Sequence, residues 1–391
     1  MNIVIGKIGK SCKFDPKKWD ATGGSNEAPS LYITLAKHNP QNTYYLIGRN
    51  DFSRLPIDYQ KEICPNNNII DLWQFYDKTK DNFITFTHEY LIKNNIKIDC
   101  GIICAGIATT INVPNYMKKT DGTYPNILET FKNYTGPVVY YLNESKIPYF
   151  TVSVDPRYHP NKARDLFNRA KFSLSQFNDN EHFIATHIKS VEDQTLTTTL
   201  IPTKYSGVEK MVFLDKERRL MNLDKSIKMM VILNEGGNGG LLRGPLLKEY
   251  VLNNFQDISV YGQWDEKWYE DTRFKGPLKF KELENVLPDV KYTFIIPIQK
   301  GWATAKFWEM AHFGIIPFMH PYYDQQKNID CPDFLRVKDP QDFLNKIEYL
   351  ENNPEEYKKL RLQLDQMILD SYYNGEYLNN VMNEGIKELD V

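Results

Sequence analysis

The stretch Met229-Met230-Val231-Ile232-Leu233-Asn234-Glu235-Gly236-Gly237-Asn238-Gly239-Gly240-Leu241-Leu242-Arg243-Gly244 decides how the chain reads. An apolar run of strand character feeds a glycine-rich turn, and a helix is expected directly after it. Backbone amides in such a turn can approach an anion closely, and the following helix start adds its positive end, so phosphate is the natural guest. No G-x-G-x-x-G runs through the turn, and the Gly-Lys-Ser/Thr ending of a P-loop is missing. A glycine cluster alone also fits a plain surface turn. Arg243 and, further on, Lys306 and Glu309 favour a ligand, since a pyrophosphate needs fixed cations and a ribose needs a hydroxyl acceptor.

Outward from this stretch the pattern alternates. Strands are expected at 229–233, 258–261, 292–296 and 314–319, with helices at 245–253, 281–286 and 304–313 between them. Asp339-Pro340 and Asn353-Pro354 each place a capping residue before an N1 proline, so two amphipathic helices should begin there. Gly375 breaks the second, and Glu376–Leu389 forms the last helix. Toward the N-terminus, residues 2–5 and Thr43–Ile47 read as strands, with a helix near Pro29–Lys37 between them. Phe83–Asn95 reads as helix, Asp99–Ala105 as strand, Ile127–Tyr134 as helix, and 149–154 as a strand running into Asp155-Pro156-Arg157. Alternation of this kind implies parallel sheets covered by helices. In such sheets ligands collect at the carboxyl ends of the strands, which is where Asp155 falls. Residues 186–228 mix short β-like runs with charged segments, and their latter part reads as an interdomain connection.

The 391 residues exceed the usual size of one core, so two domains are expected. The net charge of −2 excludes a generally basic nucleic-acid binder but leaves room for local basic patches. Two such patches stand out: the loop carrying Lys7, Lys10, Lys13, Lys17 and Lys18, and the segment carrying Arg157, Lys162, Arg164, Arg169 and Lys171. A solvated helix face explains the second equally well. The five cysteines are odd in number and without a C-x-x-C pair, so neither a disulfide framework nor a zinc site is indicated. His159 and His312 stand alone rather than in a metal-ligand spacing. The N-terminal apolar run is too short for a signal peptide and no stretch reaches membrane-spanning length. The expectation is a soluble, cytoplasmic protein without a membrane partner.

Lys306 and Glu309 are three apart on an expected helix and therefore share a face. The segment Phe307-Trp308-Glu309-Met310-Ala311-His312-Phe313-Gly314-Ile315-Ile316-Pro317 resembles the sugar-nucleotide signature of GT-B glycosyltransferases, in which a helix glutamate binds the ribose. In motif order, over most of its length, the chain also resembles the DNA β-glucosyltransferases of T-even bacteriophages. The matching stretches are Ser25-Asn26-Glu27, Val154-Asp155-Pro156-Arg157, the Gly-Gly turn with Arg243, Val260-Tyr261-Gly262, and Thr304-Ala305-Lys306-Phe307-Trp308-Glu309.

The resemblance implies an α/β protein of the GT-B class, with two Rossmann-like domains facing across a cleft. Residues 1–205 would form the acceptor-binding domain and 206–375 the nucleotide-sugar domain, with a helix over 376–391 returning to the first. It implies Asp155 as catalytic base and Glu27 as its supporting glutamate. Gly236, Gly237 and Arg243 would lie on the diphosphate, with Glu309 on the ribose. Lys306 stands where the family has arginine, which keeps the charge but loses the two-pronged fork. Asn238-Gly239-Gly240 replaces a more basic, serine-containing stretch. Arg157, Lys162, Arg164, Lys10 and Lys13 would bind the acceptor, expected to be double-stranded DNA with hydroxymethylated pyrimidines. A target base in duplex would have to be flipped out of the stack.

The implied donor is a UDP-sugar, UDP-glucose first, and the implied assembly a monomer. A weakly held Mg²⁺ or Mn²⁺ stays open, because such ions need few protein ligands. Retaining GT-B enzymes commonly carry a second glutamate eight positions before the ribose glutamate; here that position is Gly301, which favours inversion. Two alternatives stand beside this reading: a GT-B enzyme acting on a glycan, lipid or small molecule, and a noncatalytic nucleotide-sugar or DNA-binding module.

Overall fold

The computed structural model describes residues 1–8, 27–47, 52, 57–75, 83–105, 142, 145–153, 170–175, 199–202, 225–235, 241–278, 282, 285–297, 300–301, 303–304, 306–327, 329–369 and 375–391. They form two compact units, one built largely from Ala21–Tyr205 with Glu376–Val391, the other from Ser206–Gly375.

The first unit contains β1 (Asn2–Ile8), α1 (Glu27–His38), β2 (Thr43–Ile47), α2 (Ile57–Ile63), β3 (Ile69–Asp71), α3 (Phe83–Lys93), β4 (Cys100–Ala105), β5 (Tyr149–Ser153), β6 (Phe172–Ser175) and β7 (Thr199–Pro202). Its strands make one seven-stranded sheet in the order β3-β2-β1-β4-β5-β6-β7, and every pairing is parallel. Ile3, Val4 and Ile5 in sequence are all buried, as are Ile102 and Ile103. Strands apolar on both sides cannot face water, so a central parallel sheet is the arrangement that satisfies them. The helix expected over Ile127–Tyr134 lies outside the described residues.

In the second unit β8 (Ile227–Ile232) leads into a short helix α4 (Arg243–Leu247), followed by β9 (Ser259–Tyr261), β10 (Phe274–Gly276), β11 (Val290–Ile295), α5 (Lys306–His312), β12 (Ile316–Met319), α6 (Pro340–Asn352) and α7 (Pro354–Met367). The five strands are ordered β10-β9-β8-β11-β12 and run parallel throughout. The chain winds one way from β8 to β10 and then returns to the other side of β8 with β11. This reversal places a topological switch point between β8 and β11, the position at which open α/β sheets bind ligands.

Several boundaries differ from the sequence reading. The helix expected over 245–253 starts earlier, at Arg243, and changes to a π turn over Lys248–Leu252; side-chain periodicity does not report such a turn. Of the helix expected over 281–286, the described residues 282, 285 and 286 are helical, and a 3-10 turn follows at Leu287–Asp289. Asp339 caps α6 as anticipated, accepting from the Asp342 amide at 2.8 Å, with Pro340 in the first turn. Asn353 does not cap α7 with its side chain. It is at once the C-cap of α6 and the N-cap of α7, and its Nδ2 donates backward to the Tyr349 carbonyl at 2.7 Å.

Gly375, at φ 78°, ends the second unit, and α8 (Glu376–Lys387) packs against α1 of the first. Gly385 meets the Phe150 ring, which a Cβ would approach to 2.9 Å. Asn39 Nδ2 donates to Asn379 Oδ1 at 2.6 Å, and Asn383 Nδ2 donates to Asn39 Oδ1 at 3.1 Å. The returning C-terminal helix is thus held by one small-residue contact and a run of buried amides. Among the described residues no helix is long and apolar enough to cross a membrane.

Candidate active site

Beyond the carboxyl end of β8 the backbone continues through Leu233, Asn234 and Glu235 before the glycine turn. Arg243, at the start of α4, folds back onto this seam and is buried. Its Nη1 donates to the Asn234 carbonyl at 2.9 Å and its Nε to the Pro297 carbonyl at 3.2 Å. Asn234 follows β8 and Pro297 follows β11, so one guanidinium spans the switch point of the sheet. Its backbone is fixed as well, the Arg243 amide donating to the Glu235 carbonyl at 3.2 Å.

Glu235 is buried and had no role in the sequence reading. One carboxylate oxygen accepts from Trp268 Nε1 at 2.6 Å and the other from the Asp265 amide at 2.9 Å. Lys267 Nζ lies 4.0 Å away. The Glu235 amide donates to the Gln263 carbonyl, and the Gln263 amide donates to Asn234 Oδ1. The loop after β9 is therefore laced to the end of β8. Trp268 in turn sits on Gly244, next to Arg243, so closely that a Cβ there would overlap the indole.

The third component follows β11. Helix α5 begins at Lys306, whose Nζ pairs with Glu309 Oε2 at 2.6 Å. Glu309 is buried and Lys306 half-buried. The expected shared face is realised, and the two charges meet on it. Helix α5 was expected to start at 304; it starts two residues later because Tyr323, in the turn after β12, takes the Thr304 backbone. The buried Tyr323 hydroxyl accepts from the Thr304 amide at 3.0 Å and the Phe307 amide at 3.3 Å. It donates to the Thr304 carbonyl at 2.5 Å and lies 3.1 Å from Thr304 Oγ1. Burial raises its pKa well above that of a free phenol, so it acts as a neutral hydroxyl. His320, in the same turn, accepts from the Tyr322 amide at 3.0 Å through Nδ1. Burial pushes its pKa down to about 4, so it is neutral at pH 7.

Arg243, Lys306 and Glu309 thus lie at the carboxyl edge of one sheet, on segments that follow two adjacent strands. Gly236 and Gly237 lie outside the described residues, as do Asp155, Arg157, Lys162, Arg164, Lys10 and Lys13. The strand that leads toward Asp155, β5, ends at Ser153. Glu27 is the first residue of α1, and its side chain is outside the described set. His312 is buried on α5, its ring edge-on to Phe313. Among the described residues no three His, Cys, Asp or Glu side chains converge on a metal position.

Along its whole length the chain superposes on T4 phage β-glucosyltransferase in complex with UDP-glucose. The TM-score is 0.60 at 13% identity, covering 100% of this chain and 99% of that one. The fold is GT-B. The same phage protein with UDP and Mn²⁺ gives a TM-score of 0.56 at 13% identity, over 100% and 99% of the two chains. Anabaena HepE in complex with UDP gives 0.52 at 10% identity, over 99% and 100%. No protein-family model and no curated protein matches the sequence. The shared face of Lys306 and Glu309 was legible from the sequence, and Arg243 lies at the same edge of the sheet. Glu235, Trp268 and Tyr323, which hold them, were not legible.

Proposed function

We propose that the protein is an inverting, UDP-sugar-dependent glycosyltransferase that moves glucose from UDP-glucose to the hydroxyl of a hydroxymethylated pyrimidine in DNA. The observation that carries this reading is Arg243, a permanent cation clamped by two carbonyls across the β8–β11 switch point. The donor diphosphate would lie there, against the Gly236-Gly237 turn. Glu309 would exchange its bond to Lys306 for the ribose hydroxyls, releasing the Lys306 ammonium toward the phosphates. The solved GT-B proteins similar in fold include complexes with UDP and UDP-glucose, which agrees with that donor class.

Asp155, two residues past β5, would take the proton from the acceptor hydroxyl as its oxygen attacks the anomeric carbon. The bond from that carbon to the diphosphate oxygen breaks, and UDP leaves with the electron pair from the opposite face. Base assistance contributes roughly 10²–10⁴-fold, and fixed cations stabilise the charge developing on the leaving group. Glu27 would support Asp155, and Arg157, Lys162, Arg164, Lys10 and Lys13 would hold acceptor phosphates with marked salt dependence. No step is routed through a metal ion.

The test is UDP release from UDP-glucose with duplex DNA containing 5-hydroxymethylcytosine or 5-hydroxymethyluracil, beside unmodified DNA. Release that requires the hydroxymethyl group, abolished in Asp155→Asn with UDP binding intact, is the expected result. Release that ignores all DNA and responds to a saccharide would overturn the acceptor. Undiminished turnover in Asp155→Asn would overturn the base.

A further inference from the structure

We infer that Tyr323 is a positioning residue for donor binding, acting through the first turn of α5. The inference rests on the donor reading of Lys306 and Glu309 given above. A helix start leaves its first amides without internal partners, and a side chain from the preceding residues usually meets them. Here the partner comes from beyond the next strand. One buried phenol oxygen receives the amides of Thr304 and Phe307 and donates to the Thr304 carbonyl. The same turn makes two further ties. The Gly301 amide donates to the Tyr322 carbonyl at 2.7 Å, and Lys300 Nζ sits 4.5 Å from the centre of the Tyr322 ring. The turn after β12 therefore grips the segment 300–307 at three points, and only the Tyr323 hydroxyl determines where α5 begins.

Lys306 and Glu309 belong to that first turn, and their 2.6 Å pair is set by its geometry. A ribose held by one carboxylate demands that the carboxylate be in place before the ligand arrives, because displacement of the supporting backbone by even an ångström weakens such contacts sharply. Tyr323 is 0% exposed, and its hydroxyl bonds Thr304 and Phe307, neither of them expected to meet the donor. Its effect on binding is therefore indirect.

The experiment compares Tyr323→Phe with Tyr292→Phe. Each removes one hydroxyl from a fully buried ring of the same unit. The Tyr292 hydroxyl donates at 2.8 Å to Glu351, a residue of α6, away from the switch point. Melting temperature and UDP affinity are measured for both. The expected result is a fall in melting temperature for each, with UDP affinity weakened about tenfold in Tyr323→Phe alone. That is the factor equivalent to about 1.4 kcal/mol, the scale of one buried hydrogen bond. In turnover the donor KM should rise while the acceptor KM holds, the pattern of lost ground-state positioning. Should Tyr323→Phe not fold, Thr304→Ala removes only the 3.1 Å contact and should weaken UDP binding in the same direction. Wild-type protein that binds no UDP would remove the donor reading and this inference with it. Wild-type binding with equal affinity in Tyr323→Phe, or in Thr304→Ala if that variant stands in, would overturn the inference alone.

Discussion

Gly244→Ala isolates the contact that seats Arg243. Helix propensity by itself favours alanine by about 1 kcal/mol in a helix interior, and the backbone at 244 does not need a glycine conformation. The structure opposes the change. An added Cβ would lie 2.1 Å from Trp268 Cζ2 and within 2.9 Å of two more ring atoms. The indole cannot swing away cheaply. Its Nε1 is held by Glu235 at 2.6 Å, and its ring packs at 5.7 Å on Trp264 and at 5.3 Å on Phe274. Overpacking of this kind costs about 1–3 kcal/mol. Breaking the Trp268–Glu235 bond to relieve it strands a buried carboxylate oxygen, at about 1–3 kcal/mol. Counted together against the propensity gain, the two costs leave a net loss of about 1–5 kcal/mol. For a unit of this size that lowers the melting temperature by about 2–20 °C. The assay is a thermal melt followed by circular dichroism, paired with tryptophan fluorescence to report the displaced indole and with UDP titration to report the disturbed Arg243. A variant that melts at or above the wild-type temperature with unchanged fluorescence would refute the reasoning, because propensity would then have outweighed packing.

Two further predictions concern buried polar groups away from the site. Lys225 is buried and donates to the carbonyls of Pro288 at 2.6 Å and Phe313 at 3.1 Å; burial, with the Arg361 cation beside it, pushes its pKa down to about 7 against the weaker pull of Asp289. Above about pH 7 the folded amine has lost a proton that the unfolded chain keeps until about pH 10.4, so stability should rise with pH through that window and show no such slope below it. Urea unfolding of wild type between pH 6 and 9 should show the rise, and Lys225→Met should flatten it; an unchanged slope would assign it to other groups. In the first unit, Asn39→Ala removes the donor to Asn379 and the acceptor for Asn383, leaving buried amide atoms unpaired at about 1–3 kcal/mol each. Amide exchange across 376–387 should then accelerate well before the β-sheet core opens, whereas uniform acceleration would mean that α8 is not a separately detachable element.

What the sequence disclosed and what it withheld divide along a physical line. The apolar runs of β1, β4, β8 and β11 are buried on both faces, so the chain can bury them only in a parallel sheet, and that signal is written in consecutive residues. Capping by Asp339 with Pro340 is equally local, and so is the three-residue spacing that brings Lys306 onto Glu309. Partners far apart in sequence leave no such trace. Glu235 sits in the quoted glycine stretch, but its value depends on Trp268 and Asp265, some thirty residues on. Tyr323 governs a helix start that precedes it by an intervening strand. Asn353 misled for a related reason, since one residue stands at two helix ends and the spacing could not say which its side chain would serve. The same distinction explains the order of failure expected on mutation. On the proposed reading, changes to Lys306 or Glu309 would remove ligand contacts and leave the sheet intact, whereas changes to Glu235 or Tyr323 would leave every proposed ligand contact in the sequence and still move it. A motif in this chain is therefore a list of groups proposed to touch the donor, while their placement depends on buried hydrogen bonds between residues distant in sequence.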